Sequence, residues 1–304
     1  MLRGPDFFIV GAPKCGTTAM TDYLGQHPEI GMCAEKETQH FATDLYPRFG
    51  LKRVNRWRTQ DEYLKLFEGA QDRKRIGEAS VWYLYSSAAP REIIEFSPAA
   101  DIIVMLRNPL QALPSLHSQF VFVGIEPVED FERALDLDEE RERSGAPQGF
   151  PPSSYRSAVR YSEQLKRYLD VFGRERVHVV IYDSFRERTQ DEYRATCEFL
   201  DVDPDFTPEI SVVNPNKRAR SRTLRDLLER TPEPLRRVLH ASTSQGLRRR
   251  TGRALKRMNT RFEPREPVRD EVMHSLRPLV AREVSELRAL VGVDLSFWLE
   301  RASR

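Results

Sequence analysis

The feature that most constrains this chain is a short apolar segment that runs through a glycine-containing loop directly into a helical pattern. Residues Phe7–Val10 are all large and apolar, and the loop Gly11–Gly16 (GAPKCG) separates them from a helical pattern over Thr17–Gln26. A continuous apolar run of this length is typical of a strand covered on both faces of a parallel sheet. The turn from such a strand into a helix directs unpaired N–H groups at one spot, where the helix dipole also favours an anion.

The loop supplies further groups that an anion needs. Gly11 and Gly16 permit close approach of the backbone, Lys14 brings a positive charge, and Thr17 and Thr18 add hydroxyl donors. The stretch therefore predicts a phosphate cradle. The loop of a nucleotide triphosphatase has the same glycine spacing, but its lysine directly follows the second glycine. Because Thr17 stands at that position, a nucleotide kinase or NTPase is only the alternative interpretation.

Two further apolar runs repeat the pattern of the first. Ile102–Leu106 precedes a helical pattern over Leu110–Phe120, and Val177–Ile181 follows another over Tyr161–Phe172. Alternation of buried strands and helices indicates βαβ units. We therefore expect a P-loop-type α/β fold in which a central parallel sheet lies between two layers of helices.

The length of 304 residues allows either two domains or one large α/β domain, and 39% hydrophobic residues exclude disorder over the whole chain. One domain over residues 1–304 fits better than two. Residues 217–261 hold 15 Lys/Arg against 3 Asp/Glu, which predicts either an anionic partner or a solvated helical face. Apolar residues at helical spacing over Val268–Leu290, a pattern that ends at Gly292, predict a C-terminal helix within 268–299.

Several other classes of protein are disfavoured. The three cysteines (Cys15, Cys33 and Cys197) show neither C-x-x-C nor Cys/His spacing, so no metal is expected. No apolar run approaches the roughly 18 residues that cross a membrane. The stretch before Phe7 is too short for a secretory signal, so a cytoplasmic location is expected. The oligomeric state is left open.

Three segments together resemble one enzyme family. The loop at residues 11–18 (GAPKCGTT) resembles the 5′-phosphosulfate loop of sulfotransferases that use 3′-phosphoadenosine 5′-phosphosulfate (PAPS). Residues 107–115 (RNPLQALPS) are similar to that family's 3′-phosphate motif, and residues 77–84 (GEASVWYL) to a third family segment. Bacterial members and heparan sulfate sulfotransferase domains are the most similar. The resemblance implies a sulfotransferase-like three-layer fold, PAPS as the sulfuryl donor and no metal.

The resemblance also implies roles for individual residues. Lys14 would stabilise the leaving phosphate, and Arg107 and Ser115 would bind the 3′-phosphate, the former as a charged fork. The full set implied to bind PAPS is Lys14, Cys15, Gly16, Thr17, Thr18, Arg107, Ser115, Lys217 and Arg218, the last two from a segment that covers the cofactor. This chain departs from the family pattern at Gln111 and Ala112, which stand where an acidic and a basic residue are common, so these two positions cannot form an ion pair with each other. An anion loop would also favour the Cys15 thiolate, but without a neighbouring base we interpret Cys15 as a small loop residue.

The general base is expected in the segment Glu35–Phe41 (EKETQHF). The resemblance to heparan-type enzymes places the catalytic carboxylate at Glu37, with His40 as the competing base. Some relatives carry a second catalytic lysine where this chain has Ala79, so such a lysine would come from elsewhere, for instance Lys36.

The sequence therefore predicts transfer of a sulfuryl group from PAPS to a hydroxyl, or an amine, of a glycan or small-molecule acceptor. The identity of the acceptor, O- against N-sulfation, and Glu37 against His40 as base are left open. No nucleic-acid partner is expected, because no nucleic-acid module accompanies the basic segment 217–261. A non-enzymatic protein that binds anionic polymers through that segment is the remaining alternative.

Overall fold

The computed structural model of this protein describes residues 2–45, 59–144, 155–210, 217–221, 258–263 and 267–300. A five-stranded parallel sheet forms its centre, in the order β2-β3-β1-β4-β5. The strands are β1 (Phe7–Gly11), β2 (Ile30–Met32), β3 (Arg75–Ala79), β4 (Asp101–Leu106) and β5 (Val177–Ile181). Helices flank the sheet, and the predicted three-layer α/β/α fold is confirmed.

Helices connect the strands and continue the chain after β5. Those within the described residues are α1 (Thr17–Leu24), α2 (Gln60–Leu64), α3 (Ala89–Phe96), α4 (Pro109–Phe122), α5 (Phe131–Ser144), α6 (Tyr155–Ala158), α7 (Tyr161–Phe172), α8 (Tyr182–Glu187), α9 (Thr189–Phe199), α10 (Asp270–Val291) and α11 (Phe297–Glu300). Short 3-10 helices cover Thr43–Leu45, Lys65–Ala70 and Arg174–Arg176.

The three apolar runs form β1, β4 and β5, whereas β2 and β3 carry no such signal. The strand β2 has only three residues, and β3 contains both Arg75 and Glu78. Glu78 is fully buried because neighbouring hydroxyl groups satisfy its carboxylate. A buried strand with such a composition does not read as apolar, which explains why the sequence pattern missed it.

The C-terminal part contains the helix that the sequence places within 268–299, and a second, short helix after it. Helix α10 ends at Val291, because the next residue, Gly292, has a left-handed backbone with a φ of +71° that stops the helix. The short helix α11 follows as a separate element. Of the basic segment 217–261, only 217–221 and 258–261 are described; there Lys217–Ala219 (β6) pairs antiparallel with Thr260–Phe262 (β7).

Along the neighbouring strands β1 and β4 the interior of the sheet is apolar and closed to solvent. All four side chains of Phe7–Val10 are fully buried, as are those of Ile102–Leu106. This burial fixes the positions of the strand ends, from which the loops of the candidate site emerge. Among the described residues, no helix combines the length and the apolar character that crossing a bilayer would require.

Candidate active site

The first anion segment (residues 11–18) lies at the carboxyl end of β1 and leads into α1. Lys14 (φ +67°) and Gly16 (φ +91°) both have left-handed backbones, which a side chain such as lysine rarely adopts. At Gly16 an added Cβ would lie 2.9 Å from the ring of Tyr182. No side-chain hydrogen bond caps α1, so the N–H groups of its first turn face the loop and are placed to receive an anion.

Lys36 reaches the start of α1 from a different segment of the chain. Its ammonium donates to the hydroxyl of Thr18 at 2.9 Å and to that of Thr17 at 3.4 Å. Desolvation by the surrounding protein lowers the pKa of this ammonium, against the opposing effect of Glu37 and Asp22. A second lysine therefore stands at the same helix N-terminus as Lys14.

The second anion segment (residues 107–115) begins at the carboxyl end of β4, the neighbour of β1 in the sheet. The Arg107 guanidinium is held by three groups. It donates to the backbone carbonyl of Lys14 at 3.2 Å and, through Nε and Nη2, to Gln111 Oε1 at 3.3 and 3.2 Å. Its carbon Cζ lies 4.4 Å from the centre of the Tyr182 ring, within the range of a cation–π contact.

The two anion segments therefore meet at adjacent strand ends. Besides the bond from Arg107 to Lys14, the Lys14 ammonium lies 3.5 Å from Gln119 Oε1, and Gln119 belongs to α4. Asn108 accepts from the Leu110 N–H at 3.0 Å and so caps α4 at the start of the second segment.

Ser115 and the basic pair at residues 217 and 218 complete the set that the sequence implied. Ser115 lies in the middle of α4, and only 2% of its surface is exposed. The strand β6, which contains Lys217 and Arg218, packs against α4. The backbone of this basic strand therefore lies along the helix that begins at the second anion segment.

Glu37 follows β2 and faces the carboxyl end of β3. Its backbone has a φ of +63°, and its N–H donates to the carbonyl of Ala79 at 3.0 Å. Its carboxylate accepts from the Val81 N–H at 3.0 Å, and its second oxygen lies 3.9 Å from the Lys36 ammonium. The side chain is 36% exposed, yet desolvation raises the pKa of the carboxyl to about 7, against the effects of Lys36 and the Val81 N–H.

A buried network centred on Glu78 fixes the segment that carries Glu37. The Glu78 carboxylate accepts from the hydroxyls of Thr38 at 2.6 Å and Ser80 at 2.7 Å. The hydroxyls of Tyr63 and Tyr83 also donate to it, at 2.5 and 3.0 Å. Burial raises the pKa of Glu78, and these four hydroxyls oppose that rise.

The same network reaches the backbone beside Glu37. The hydroxyl of Ser80 accepts from the Gln39 N–H at 3.0 Å. Gln39, like Glu37, has a left-handed backbone, with a φ of +54°. Two strained residues so close together persist because Glu78 and Ser80 hold the chain between them. The segment at residues 77–84 therefore holds the candidate base Glu37 in position, and its own carboxylate, Glu78, is buried in this network.

Two further candidate residues, His40 and Cys15, are packed against other side chains. His40 stacks on the Tyr63 ring, with centroids 4.1 Å apart and an angle of 6° between the planes, and lies edge-on to Phe41. The expectation of a favoured thiolate at Cys15 is wrong. The Cys15 side chain is fully buried, and burial raises the pKa of its thiol to about 12 even though Tyr161 and Arg107 act to lower it.

Tyr182 is a site residue that the sequence pattern did not identify. Its ring lies against the space beside Gly16 and against Arg107, so it touches both anion segments. Tyr182 directly follows β5, the other neighbour of β4. Its position at the carboxyl end of a predicted strand was the signal that could have found it.

Within the described ranges, no three His, Cys, Asp or Glu side chains are grouped as metal ligands would be.

In this α/β fold the two loops converge at the carboxyl ends of adjacent parallel strands, where Arg107 meets the backbone of Lys14. Comparison with known families specifies the class further. Residues 4–217 match the sulfotransferase-domain family. Since this region covers well over half of the chain, the protein belongs to the sulfotransferase family.

The curated proteins that resemble this chain are sulfotransferases by name. The chain is 33% identical over 156 residues to human carbohydrate sulfotransferase 15, covering 38% of this chain and 27% of that protein. It is 25% identical over 216 residues to the bifunctional heparan sulfate N-deacetylase/N-sulfotransferase 1 of Caenorhabditis briggsae, covering 68% of this chain and 24% of that protein. The match thus spans about a quarter of these curated relatives.

A solved structure matches the chain along its whole length. The crystal structure of a sulfotransferase from Alicyclobacillus acidocaldarius superposes with a TM-score of 0.71 at 30% identity, covering 98% of this chain and 99% of that one. The family resemblance of the three sequence segments is therefore confirmed.

Proposed function

We propose that this protein is a PAPS-dependent sulfotransferase that acts on a hydroxyl or amine of a glycan or small-molecule acceptor. The observation that carries the proposal is the junction of the two anion segments, where Arg107 donates to the carbonyl of Lys14. A ligand with phosphate groups at both ends of one nucleoside would contact both segments. The uncapped start of α1 suits its 5′ end, and the guanidinium of Arg107 suits its 3′-phosphate.

The donor-binding set that we propose comprises the loop backbone and charged side chains of both segments. Its members are Lys14, Cys15, Gly16, Thr17, Thr18, Arg107 and Ser115, together with Lys217 and Arg218. Cys15 contributes through its backbone only, since its thiol is buried and protonated.

PAPS supplies an activated sulfuryl group, which passes to the acceptor as the S–O bond to the 5′-phosphate breaks and a new bond to sulfur forms. Glu37 takes the proton from the acceptor oxygen or nitrogen. Lys14 and the first-turn N–H groups of α1 stabilise the negative charge that develops on the departing phosphate. Lys36 adds positive charge at the hydroxyls of Thr17 and Thr18, and so occupies the role of the second lysine that is missing at Ala79.

Glu37 must be ionised to accept a proton. Because desolvation raises the pKa of its carboxyl to about 7, the active fraction increases as the pH rises through 7. We expect kcat at saturating donor to rise about tenfold per pH unit below pH 7 and to level off above it. In a Glu37→Gln variant we expect kcat to fall by about 10²–10⁴-fold. Loss of the same magnitude in His40→Gln, with Glu37→Gln still active, would transfer the role of base to His40.

Donor binding is tested by calorimetry with adenosine 3′,5′-bisphosphate. We expect micromolar or tighter binding in the wild type, about 10²-fold weaker binding when Arg107 is changed to alanine, and a substantial loss with Lys14→Ala. Binding that is undetectable, or unaffected by either variant, would refute the assignment. Transfer is then measured with labelled PAPS and a panel of glycan, phenol, alcohol and amine acceptors.

The panel also decides the class of acceptor. The names of the relatives point to carbohydrates and heparan sulfate, so glycans are the first members of the panel. The kinase alternative has one observation in its favour, the spacing of Gly11 and Gly16. Turnover of ATP that depends on Mg²⁺, in a protein that ignores adenosine 3′,5′-bisphosphate, would favour it.

A further inference from the structure

The C-terminal helix α11 contributes a buried tryptophan to the edge of the candidate donor site. Trp298 is fully buried and lies about 190 residues along the chain from the second anion segment. Two of its polar groups bond to residues that directly adjoin site residues. One bond goes to the loop after β4 and the other to the residues after β5.

The first bond reaches the residue beside Arg107. The side-chain amide of Asn108 donates to the backbone carbonyl of Trp298 at 2.9 Å. The carbonyl oxygen of the same amide caps α4 through the Leu110 N–H, so this one side chain joins α11 to the start of α4. Only 2% of Asn108 is exposed, which shields both bonds from water.

The second bond reaches the residue beside Tyr182. The indole N–H of Trp298 donates to a carboxylate oxygen of Asp183 at 3.2 Å, and only 4% of Asp183 is exposed. Tyr182 is the residue whose ring lies 4.4 Å from the guanidinium carbon of Arg107. Trp298 therefore holds the neighbours of both members of the Arg107–Tyr182 pair.

We propose that Trp298 is a positioning residue for the 3′-phosphate half of the donor site. By tying Asn108 to Asp183, it fixes the separation of the two strand ends and so keeps the Arg107 guanidinium stacked on Tyr182 and aimed at the ligand. This inference rests on the proposed function, since it assumes that Arg107 binds the 3′-phosphate. It assigns a site role to a part of the chain that lies beyond the matched family region, which ends at residue 217.

The fixed geometry matters because a guanidinium recognises a phosphate through paired bonds in one plane. If the Asp183 bond is removed, Tyr182 can shift with α8, and Arg107 loses the surface that orients it. The 5′ end of the ligand, bound by the first anion segment, is not touched by Trp298. The loss should therefore be confined to ligands with a 3′-phosphate.

The test compares two ligands that differ only at that position, adenosine 3′,5′-bisphosphate and adenosine 5′-monophosphate. In Trp298→Phe, which keeps an aromatic ring but lacks the N–H, we expect about fivefold to tenfold weaker binding of the bisphosphate. Affinity for the monophosphate should change by less than about twofold, because this ligand has no 3′-phosphate for Arg107 to bind. Asp183→Asn keeps an oxygen that accepts the indole N–H, so it should retain the wild-type preference, whereas Asp183→Ala should lose it like Trp298→Phe.

A matched control separates this role from ordinary packing. Leu287→Ala opens a cavity at a fully buried position of α10 and should lower the Tm while leaving the ratio of the two affinities unchanged. The proposal is overturned if Trp298→Phe weakens the binding of both ligands equally, or if it weakens the binding of neither. A wild-type protein that binds the bisphosphate no better than the monophosphate would instead overturn the proposed 3′-phosphate site itself, and this inference with it.

Discussion

The two anion segments reach the same place by different means. The first, residues 11–18, relies on its own backbone: Lys14 and Gly16 are left-handed, and α1 begins without a side-chain cap. The second relies on one side chain, Arg107, which is held by groups from distant parts of the chain. A site made from contiguous backbone is specified by a short motif. A site made from an oriented side chain depends on everything that orients it.

This difference suggests a division of labour. In the proposed reaction, the first segment offers N–H groups and a lysine where the departing phosphate gains charge, so changes in it should lower the rate as well as the affinity for the bisphosphate. In the same proposal, the second segment offers a planar guanidinium to a phosphate that does not react, so changes in it should act on affinity alone. Variants of each segment can therefore confirm or break the contrast.

Between the two segments, the larger effect is expected in the first. Lys14→Ala removes the cation that belongs to the first anion segment itself, and we expect kcat to fall by about 10²–10³-fold, as for loss of a group that stabilises transition-state charge. The measurement is steady-state transfer from labelled PAPS at saturating donor. Lys74→Ala, at the amino end of β3, removes an exposed lysine of the same charge and should leave kcat unchanged. A loss that appears only in the KM for PAPS would contradict the assignment of the first segment to the rate of transfer.

A smaller and different effect is expected in the second segment. Arg107→Lys keeps the charge but loses the planar fork and the contact with Tyr182, so affinity for adenosine 3′,5′-bisphosphate should fall about 10- to 30-fold. Calorimetry should show no matching loss for adenosine 5′-monophosphate. Arg176→Lys is a suitable control, because Arg176 also lies over an aromatic ring, that of Phe172, but on a different part of the surface. Equal losses for both ligands would mean that Arg107 serves the loop and not the 3′-phosphate.

The same contrast explains how much the sequence could predict. The first segment is readable because all of its groups are contiguous and follow an apolar strand, and the order of strands and helices predicted the layers of the fold. The position of Glu37 could be proposed only from the family resemblance. What holds it, a buried Glu78 with four hydroxyl donors from Thr38, Tyr63, Ser80 and Tyr83, depends on the folded chain.

Other parts of the site could not be predicted because their physical cause is long-range. The thiol of Cys15 lies in a loop that favours anions, yet burial outweighs that electrostatic effect and raises its pKa to about 12. Tyr182 and Lys36 approach the loop from other segments. Tyr182 is marked only by its place after a predicted strand, and Lys36 could be named only as one source of the lysine that is absent at Ala79. By contrast, the end of the long C-terminal helix α10 could be predicted, because Gly292, the residue that stops it, is visible in the sequence.

Gln111 offers a finer test of the second segment. Its amide accepts twice from Arg107 without adding a charge, so the positive charge of the guanidinium remains uncompensated by this partner. Gln111→Glu would place a carboxylate there, and we expect affinity for the bisphosphate to fall about fivefold, a loss that decreases as salt is added. The control Gln190→Glu adds the same charge on α9 and should have no effect on binding. An unchanged or tighter affinity in Gln111→Glu would show that holding Arg107 matters more than its free charge.

The smallest effect is expected at Cys15, the only cysteine in the first segment. Because its thiol is fully buried with a pKa of about 12, it stays protonated at pH 8, and we expect it to take no part in the proposed reaction. Cys15→Ala should change kcat by less than about twofold, with only a modest loss of Tm from the smaller side chain. In the native wild type, iodoacetamide at pH 8 should leave Cys15 unmodified, whereas denaturant exposes it to alkylation. Rapid native alkylation that adenosine 3′,5′-bisphosphate blocks would show instead that side chains of the first segment, and not its backbone alone, meet the ligand.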